Sequence, residues 1–383
     1  MTLFRGPVQA APAEPCNTFA VPTVIAPIEG PERVVWEPDG PLVPWQVAGA
    51  DDLWVEIDHT RDLLRRFEAE GPQPDRIIDR IENAGHLVVV SGPRQSGKTT
   101  LLHKAVHSLA LRLDDRMRTW SNVEQLVPAQ ERWTARSPQE LSHVRVVALA
   151  GPRNAPAHVA WAAGRPLDVD QVHDRILRKV RETLGKPEVE DGHPPGSEDL
   201  YVAYERLSRQ LIEDRTVLLI LLPDFGWGGE GLTGRFYRSC RDNARCGIVF
   251  FVESRNDTGC ADDLRTAFGD ELGTENVTHL ALGPMAEGDW RDFIDARHRA
   301  AIPGAAIRVA AEVTDGAPAL LTGASVGKLR KVLYAATQHA HENRRDEVDA
   351  ATLRAVGRAF EVPGPDQFRR DGASRQQTEE PRP

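Results

Sequence analysis

The sequence predicts an α/β fold in which helices cover both faces of a parallel sheet and an all-helical subdomain follows. Short apolar segments alternate with helical ones, and strands that are apolar on both faces are typical of a parallel sheet buried on both sides. A glycine-rich loop joins the first of these strands directly to a helix. The strand signals stop at Pro284, and only helical periodicity continues beyond it.

Composition limits the class of protein. The chain has 383 residues, of which 47 are basic and 57 acidic, so its net charge is −10. With 40% hydrophobic residues it is expected to be a soluble globular protein of one large domain or two ordinary ones. No apolar run approaches the roughly 18 residues that cross a membrane, and the first residues lack an export signal. Four cysteines without CxxC spacing build no disulfide scaffold. We therefore expect a cytoplasmic protein with no membrane partner.

Residues 1–50 are predicted to form an extended or disordered arm. They carry nine of the 28 prolines, and proline blocks helices and long strands. Trp36 and Trp45 are candidates for packing this arm locally. Residues 51–85 become helical, with apolar residues at helical spacing on both sides of a break at 71–74.

Residues 51–283 are predicted to be the α/β core. Its strands are short and apolar and are bounded by turn residues. The predicted strands cover 86–90, 145–150, 217–222, 247–252 and 277–282. Helical segments between them are predicted over 99–113, 167–183 and 197–214.

Residues 284–362 are predicted to form the helical subdomain, which we call the lid. Trp290, Phe293 and Ile294 fall at positions i, i+3 and i+4, and a longer apolar stripe runs over 326–340. Residues 363–383 are polar and contain proline and glycine, so they are predicted to be a disordered tail.

The strongest motif is the loop between the first strand and its helix. It fits the pattern G-x-x-x-x-G-K-[ST] in full, in the strand-to-helix setting that the pattern requires. Its residues are Gly92, Pro93, Arg94, Gln95, Ser96, Gly97, Lys98 and Thr99. In such a loop the backbone N–H groups and the helix N-terminus attract phosphate oxygens, the lysine reaches the β- and γ-phosphates, and the threonine hydroxyl binds Mg²⁺. The sequence therefore predicts a phosphate-binding site here, with Thr100 as a further binding residue.

The strand over 217–222 is the candidate for an acidic partner of this loop, but it ends in Pro223-Asp224-Phe225. Hydrolysing P-loop NTPases usually carry two acids there, one for the metal and one for the attacking water, so one acid is missing. Either Asp224 is the metal acid and Phe225 replaces the base, or Asp224 is the base and Pro223 replaces the metal acid. We favour the first, because Asp224 is the lone carboxylate. Glu253, at the end of the next strand, is a candidate substitute for the missing acid.

Together with the loop, Ser254 and Arg255 resemble the sensor of the AAA+ and STAND branch of P-loop NTPases. In that branch a Thr/Ser-Arg pair contacts the γ-phosphate. Gly316-Ala317-Pro318 resembles the G-x-P motif of the STAND lid, whose proline backs onto the nucleotide. Arg330 resembles the sensor-2 arginine of AAA+ proteins, which reaches the γ-phosphate from the lid. The resemblance spans about residues 55–360.

The resemblance implies a protein that binds ATP and Mg²⁺ and works as a slow, ATP-dependent conformational switch in signalling or defence. No effector domain is fused within the chain, so a protein effector or sensor in trans is expected, and a homo-oligomer is compatible with the branch. Asp224, Glu253 and Arg255 are the candidate catalytic residues, and Ser254, Pro318 and Arg330 are candidate nucleotide contacts. Thr99 and Asp224 are the candidate magnesium ligands.

Two alternatives stay open. An AAA+ ATPase that assembles on DNA, as in replication or transposition, is suggested by the Arg330 region and by an arginine stripe at 235, 238, 241 and 245. The acidic net charge counts mildly against it, and a solvated helix face paired with acids is the plainer interpretation. A nucleotide-binding scaffold without turnover is suggested by the incomplete pair of acids.

Overall fold

The secondary structure follows the predicted alternation. The computed structural model describes residues 17–25, 33–38, 40–47, 50–121, 143–149, 168–185, 199–225, 227, 231–255, 260–269, 276–286, 288–300, 307–315 and 325–359. The strands in these ranges are Val21–Ile25 (β1), Arg33–Glu37 (β2), His86–Gly92 (β3), Val144–Ala148 (β4), Val217–Leu222 (β5), Ile248–Arg255 (β6), Val277–Ala281 (β7), Arg308–Val309 (β8) and Glu347–Val348 (β9). The helices are Asp58–Glu70 (α1), Pro74–Ile77 (α2), Lys98–Ser121 (α3), Val169–Thr183 (α4), Leu200–Glu213 (α5), Leu232–Asn243 (α6), Cys260–Phe268 (α7), Asp289–Ala300 (α8), Ala311–Asp315 (α9), Val326–Glu342 (α10) and Ala350–Ala359 (α11), with a 3₁₀ turn at Ala50–Leu53.

Five parallel strands form the central sheet, in the order β4-β5-β6-β3-β7. β3 therefore lies between β6 and β7, and β5 lies one strand further away. In the β3–β6 register Val90 pairs with Glu253 and Ser91 with Ser254. Because the strands are parallel, their carboxyl ends meet at one edge of the sheet, which is where ligands of such sheets bind. The predicted α/β fold with a parallel sheet is confirmed.

Alternate side chains of the sheet enter two separate hydrophobic cores. Val88 and Val90 of β3 pack on the face covered by α1 and α3, which we call the α3 face. Leu87 and Val89 pack on the face covered by α4, α5, α6 and α7, which we call the α6 face. The neighbouring strands keep the same alternation. On the α3 face lie Val217, Leu219, Leu221, Val249 and Phe251, and on the α6 face lie Leu218, Ile220, Leu222, Ile248, Phe250 and Val252.

The lid has its own core, built from apolar residues of α8, α10 and α11. α10 begins after Ser325, whose Oγ accepts a hydrogen bond from the Lys328 backbone N–H at 3.3 Å. This cap satisfies one of the free N–H groups at the start of the helix. The short strands β8 and β9 form a parallel pair beside the helices.

The described part of the N-terminal arm forms an antiparallel hairpin of β1 and β2. Phe19 enters the lid core, where its ring stacks on Phe293 with centroids 6.3 Å apart. Trp45 enters the core of the α3 face and meets His103 edge-on at 5.3 Å. The arm therefore contacts both the α/β core and the lid.

None of the helices within the described ranges combines the length and the hydropathy that a membrane span requires. α3 has 24 residues but carries charged side chains along its length, among them Lys104, Arg112 and Asp115.

Candidate functional site

The loop at 93–97 leaves β3 and enters α3 at the carboxyl edge of the sheet. Gly92, the last residue of β3, has φ 151°, and a Cβ there would lie 2.7 Å from the Leu282 carbonyl oxygen. Gln95 has φ 64°, a left-handed conformation that costs a non-glycine residue about 1–3 kcal/mol. The loop is therefore a tight turn, with a close backbone approach at Gly92 and backbone strain at Gln95.

Lys98 begins α3 and is only 5% exposed. Its Nζ donates to the carbonyl oxygens of Gly92 at 2.8 Å and Pro93 at 2.7 Å, so the ammonium group lies against the loop. The Ser96 hydroxyl is buried and has no hydrogen-bond partner among the described residues. A buried hydroxyl without a partner is costly, and a bound anion would satisfy it.

Thr99 and Glu253 meet across the sheet edge. The Thr99 Oγ1 donates to the Glu253 Oε2 at 2.7 Å, although the two residues are 154 positions apart. Thr100 Oγ1 accepts a hydrogen bond from the Leu42 backbone N–H at 3.3 Å, which brings the arm to the first turn of α3. A carboxylate and two hydroxyls are thus gathered beside the loop.

Asp224 follows β5 and lies within electrostatic reach of Tyr237, which packs on the α6 face. Burial raises the pKa of the Tyr237 phenol far above its usual value, and the neighbouring Cys260 thiol and Asp224 carboxylate add to this. Phe225, the next residue, is buried on the same face.

Ser254 is 4% exposed and lies beside Ser91 in the sheet. It hydrogen-bonds with Tyr237 and Cys260, and its bond lowers the pKa of the Cys260 thiol against the larger, opposite effect of burial. Its side chain is therefore engaged on the α6 face. Arg255 pairs through its backbone with Gly92, and its side chain lies outside the described set. Pro318 also lies outside the described residues.

The lid reaches the loop through the first turn of α10. The Gly327 backbone N–H donates to the Gln95 carbonyl oxygen at 2.9 Å. Arg330, one turn further, donates to the Gly40 carbonyl oxygen of the arm at 2.8 Å. Loop, lid and arm therefore touch one another at this edge of the molecule.

Arg297 was missed by the sequence analysis. It is 2% exposed and donates to the carbonyl oxygens of Ala20 and Leu53, and burial together with Arg330 lowers its pKa to about 9. A signal existed, because Arg297 continues the apolar stripe of Trp290, Phe293 and Ile294 along α8. A cation on an apolar stripe indicates a buried, hydrogen-bonded arginine.

The arginine stripe on α6 and just beyond it is occupied by contacts within the chain. Arg235 forms an ion pair with Asp170 at 3.6 Å, and Arg241 with Asp242 at 2.9 Å. The Arg245 guanidinium lies 4.1 Å from the ring centroid of Tyr201. These contacts support the interpretation of the stripe as a solvated helix face paired with acids. Cys240, Cys246 and Cys260 are buried thiols, and no group of three metal-ligating side chains occurs in the described ranges.

No protein-family model matches the chain, and no curated protein matches it. Among solved structures, the ORC1 protein of Aeropyrum pernix in complex with DNA aligns over 81% of this chain and 67% of its own, at 18% identity and a TM-score of 0.48. The ORC2 protein of the same organism, solved with ADPNP and ADP, aligns over 79% and 67%, at 14% identity and a TM-score of 0.47. A Walker-type ATPase of Pyrococcus abyssi aligns over 85% and 80%, at 11% identity and a TM-score of 0.42. Likenesses this distant do not say what the present chain binds.

Proposed function

We propose that this chain, which has a P-loop NTPase fold, binds ATP with Mg²⁺ at the loop between β3 and α3. It then works as a slow, ATP-dependent conformational switch of the AAA+/STAND kind in the cytoplasm. The observation that carries the proposal is the complete loop, with the Lys98 ammonium held against it and the Thr99 hydroxyl beside a carboxylate. A buried cation and an unpartnered Ser96 hydroxyl are suited to phosphate oxygens.

The donor set also fits magnesium. Mg²⁺ prefers hard oxygen ligands and is usually held by one or two carboxylates together with substrate phosphates. Thr99 offers a hydroxyl, and Glu253 and Asp224 are the candidate carboxylates at the strand ends. When bound, Mg²⁺ would supply positive charge that neutralises part of the charge of the phosphates.

The switching role rests on the contacts that surround the loop. Gln95 accepts from Gly327 of the lid, and Thr100 accepts from Leu42 of the arm. A phosphate that repositions Lys98 or Gln95 therefore changes groups that hold the lid. Arg255 and Arg330 are the proposed readers of the γ-phosphate, and Pro318 the proposed lid contact. Coupling between two such states is commonly worth about 1–3 kcal/mol.

Signal output requires a partner in this proposal. We place an effector or sensor protein in trans, with self-association into a homo-oligomer as a further property to measure. Because Asp224 is the lone acid where hydrolysing P-loop NTPases usually carry two, hydrolysis is proposed to be slow, and a scaffold that binds without turnover is the second candidate. Assembly on DNA is less favoured, because three arginines of the stripe already have partners within the chain.

Nucleotide binding is tested with the full chain and a fluorescent ATP analogue, with and without Mg²⁺. We expect Lys98→Ala to weaken binding about 10- to 100-fold, the range expected for lost hydrogen bonds to a charged group, and to abolish any turnover. Lys179→Ala, at an exposed i,i+3 ion pair with Glu182, is the matched control and should bind as wild type does. Absence of binding by the wild-type chain would overturn the proposal, and binding without turnover would favour the scaffold.

A further inference from the structure

The inference concerns a pocket at the edge of the sheet that faces away from the loop at 93–97. We infer that this pocket binds a small organic anion with an apolar body, at a site separate from the nucleotide. Its volume is about 610 Å³, which lies within the roughly 300–1,000 Å³ of sites that hold small molecules. The inference goes beyond the proposed function and does not depend on it.

The pocket lies at the amino edge of the sheet. It is lined by Val217, the first residue of β5, by Gly247, which directly precedes β6, and by Met117 near the end of α3. β5 has six residues, so at about 3.3 Å per residue the amino and carboxyl edges are about 17 Å apart. A ligand held here is therefore well separated from the loop, which lies at the carboxyl edge.

The floor of the pocket is apolar. Ile78, Met117 and Val217 belong to the core of the α3 face and Leu211 to the core of the α6 face, so both cores end at this floor. All four residues are at most 7% exposed. Burial raises the pKa of the Cys246 thiol in the lining to about 11, so the thiol stays protonated at neutral pH and acts as a small apolar group. Such a floor favours the apolar body of a ligand.

Hydrogen bonds within the chain hold the walls in place. The Gly247 N–H donates to the Ile77 carbonyl oxygen at 2.7 Å, and the Cys246 N–H donates to the Asn83 Oδ1 at 3.3 Å. The Ser208 hydroxyl donates to the Cys246 carbonyl oxygen at 2.8 Å. These bonds join the segment after α2, the helix α5 and the start of β6 around the pocket. Fixed walls of this kind are typical of a preformed binding site.

The mouth of the pocket is charged. The charged residues among its described lining are three exposed arginines and two aspartates, namely Arg80, Arg116, Arg215, Asp75 and Asp79. Arg116 forms an ion pair with Asp75, and Asp79 accepts a hydrogen bond from the Ile81 N–H at 2.7 Å. Three positive and two negative charges leave one positive charge in excess, on a chain whose net charge is −10. This mouth favours the anionic group of a ligand.

Two of the arginines are placed to meet that group. Arg80 lies within electrostatic reach of the Cys246 thiol, which places its charge beside the floor. Arg215 has φ 48°, a left-handed conformation that is unfavourable for a residue with a side chain and that is common at binding sites. The Thr216 N–H donates to the Leu211 carbonyl oxygen at 2.8 Å and so fixes the turn that carries Arg215.

The test uses a matched pair of fluorescent probes on the full chain. Anilinonaphthalene sulfonate carries a negative charge, and N-phenylnaphthylamine has the same aromatic body without it. The double variant Arg80→Gln with Arg215→Asn removes both cations, and asparagine tolerates the left-handed backbone at position 215. Ile212→Trp fills the pocket from its half-buried wall. Arg265→Gln, which breaks an exposed ion pair with Asp262 on α7, is the control. Circular dichroism shows whether each variant is folded.

We expect the wild-type chain to bind one molecule of the sulfonate with a dissociation constant on the order of 10 µM, the affinity that typical ligand efficiency gives for a molecule of this size. The double variant should bind the sulfonate about 10-fold more weakly, because two solvated ion pairs with it are lost, and should bind the neutral probe as wild type does. Ile212→Trp should lose both probes, and Arg265→Gln should bind both normally. Excess ATP with Mg²⁺ should not displace the sulfonate.

Several results would overturn the inference while leaving the proposed function standing. Absence of sulfonate binding by wild type, or equal effects of the double variant on both probes, would exclude recognition of an anion at the mouth. Sulfonate binding that survives in folded Ile212→Trp would exclude the pocket, and displacement by ATP would place the probe at the nucleotide loop. Self-association that Ile212→Trp abolishes would show that a second copy covers the pocket. Failure of the wild-type chain to bind ATP would instead overturn the proposed function alone.

Discussion

At the residue scale, His173 shows how the α6 face accommodates an ionisable group. It lies on α4 with no exposed surface, and its Nδ1 is 2.9 Å from the Tyr204 hydroxyl. The rings of Tyr204, Phe236 and Phe250 surround it, with centroids 5.5 to 6.2 Å away. Burial lowers the pKa of His173 from 6.5 to about 4. The imidazole is therefore neutral in the folded chain at neutral pH.

This shift predicts a loss of stability in mild acid. The unfolded chain takes up a proton at His173 below about pH 6.5, whereas the folded chain does so only near pH 4. The contribution is thus fully present above pH 6.5 and is lost as the pH falls towards 4. We expect His173 to lower the free energy of unfolding by about 2 kcal/mol between pH 7 and pH 5.

Urea unfolding at the two pH values measures this loss. Replacing both partners, in His173→Phe with Tyr204→Phe, removes the titrating group without stranding the hydroxyl, so the double variant should lose about 2 kcal/mol less than wild type. Tyr204→Phe alone keeps the imidazole and should keep the pH dependence. Equal pH dependence in all three chains would contradict the assignment.

Among single residues, the sequence predicted those of the site that lie together in one continuous segment. The loop at 92–99 is one short segment, and it joins β3 to α3, the strand-to-helix setting that the motif requires. Glu253 was predicted only as a substitute for the missing acid, and its contact with Thr99 was not predicted, because the two residues are 154 positions apart. The phase of the apolar residues in β6 was the available signal, since Glu253 shares the face of Val249 and Phe251.

At the element scale, α10 approaches the loop as closely as a backbone allows. A Cβ on Gly327 would lie 2.9 Å from the Gln95 Cβ and 3.0 Å from its carbonyl oxygen. Both atoms are fixed by the loop, so one of the two elements has to move if a side chain is added. Gly327 lies within the helix, so its backbone conformation does not require glycine. The close contact with Gln95 does.

We expect Gly327→Ala to separate lid docking from helix stability. Alanine favours a helix by about 1 kcal/mol over glycine, so α10 itself should become more stable. The bond from the Gly327 N–H to Gln95 should be lost, and hydrogen exchange at residue 327 should become faster while the rest of α10 stays protected. Ser325→Ala, which removes only the cap, should loosen the first turn and leave the close contact possible. If hydrogen exchange at residue 327 is unchanged, the loop has moved to make room for the alanine and the bond to Gln95 has been kept.

Helices and strands were predicted where a short segment of the sequence carries their apolar pattern. The five strands of the sheet coincide with five short apolar runs, and α3 extends to Ser121 because Met117 continues the stripe beyond Leu113. The packing of the arm had no local signal. Proline-rich composition predicts an extended chain, but the partner of Asn17 is the Tyr334 carbonyl oxygen, 317 positions away.

At the scale of the whole molecule, charge bears on the choice of partners. The net charge is −10, and the arginine stripe is engaged with Asp170, Asp242 and Tyr201. Binding to DNA depends on lysines and arginines that neutralise phosphates. A molecule of this charge, in which three of the four stripe arginines already contact other side chains, is poorly suited to a general DNA contact.

We therefore expect no binding to a fluorescently labelled DNA duplex at up to about 10 µM protein in about 0.15 M salt. Fluorescence anisotropy, with and without ATP, measures this. Tight binding whose affinity falls steeply with salt would contradict the expectation and would favour the DNA-assembling alternative. In that event Arg238→Ala, which changes an exposed member of the stripe, would test whether α6 is the contact.

The fold as a whole was predicted because a regular pattern along the sequence specifies it. Alternating apolar strands and helices leave few arrangements other than a parallel sheet covered on both faces. The joining of core, lid and arm was not predicted, because it depends on single contacts such as Arg330 with Gly40 and Gly327 with Gln95. Such contacts leave no periodic pattern in the sequence.

The long reach of the arm has a consequence for synthesis on the ribosome. Residue 17 emerges first, but its partner Tyr334 is made 317 residues later, which at about 5–20 residues per second is a delay on the order of 15–60 s. The last strand of the sheet ends at Ala281, so the sheet and α3 are translated before Tyr334, and until then the arm has only one of its two docking surfaces. Phe19 and Asn17 can reach their partners only after the lid has been translated, so the arm can join the core to the lid only late in folding.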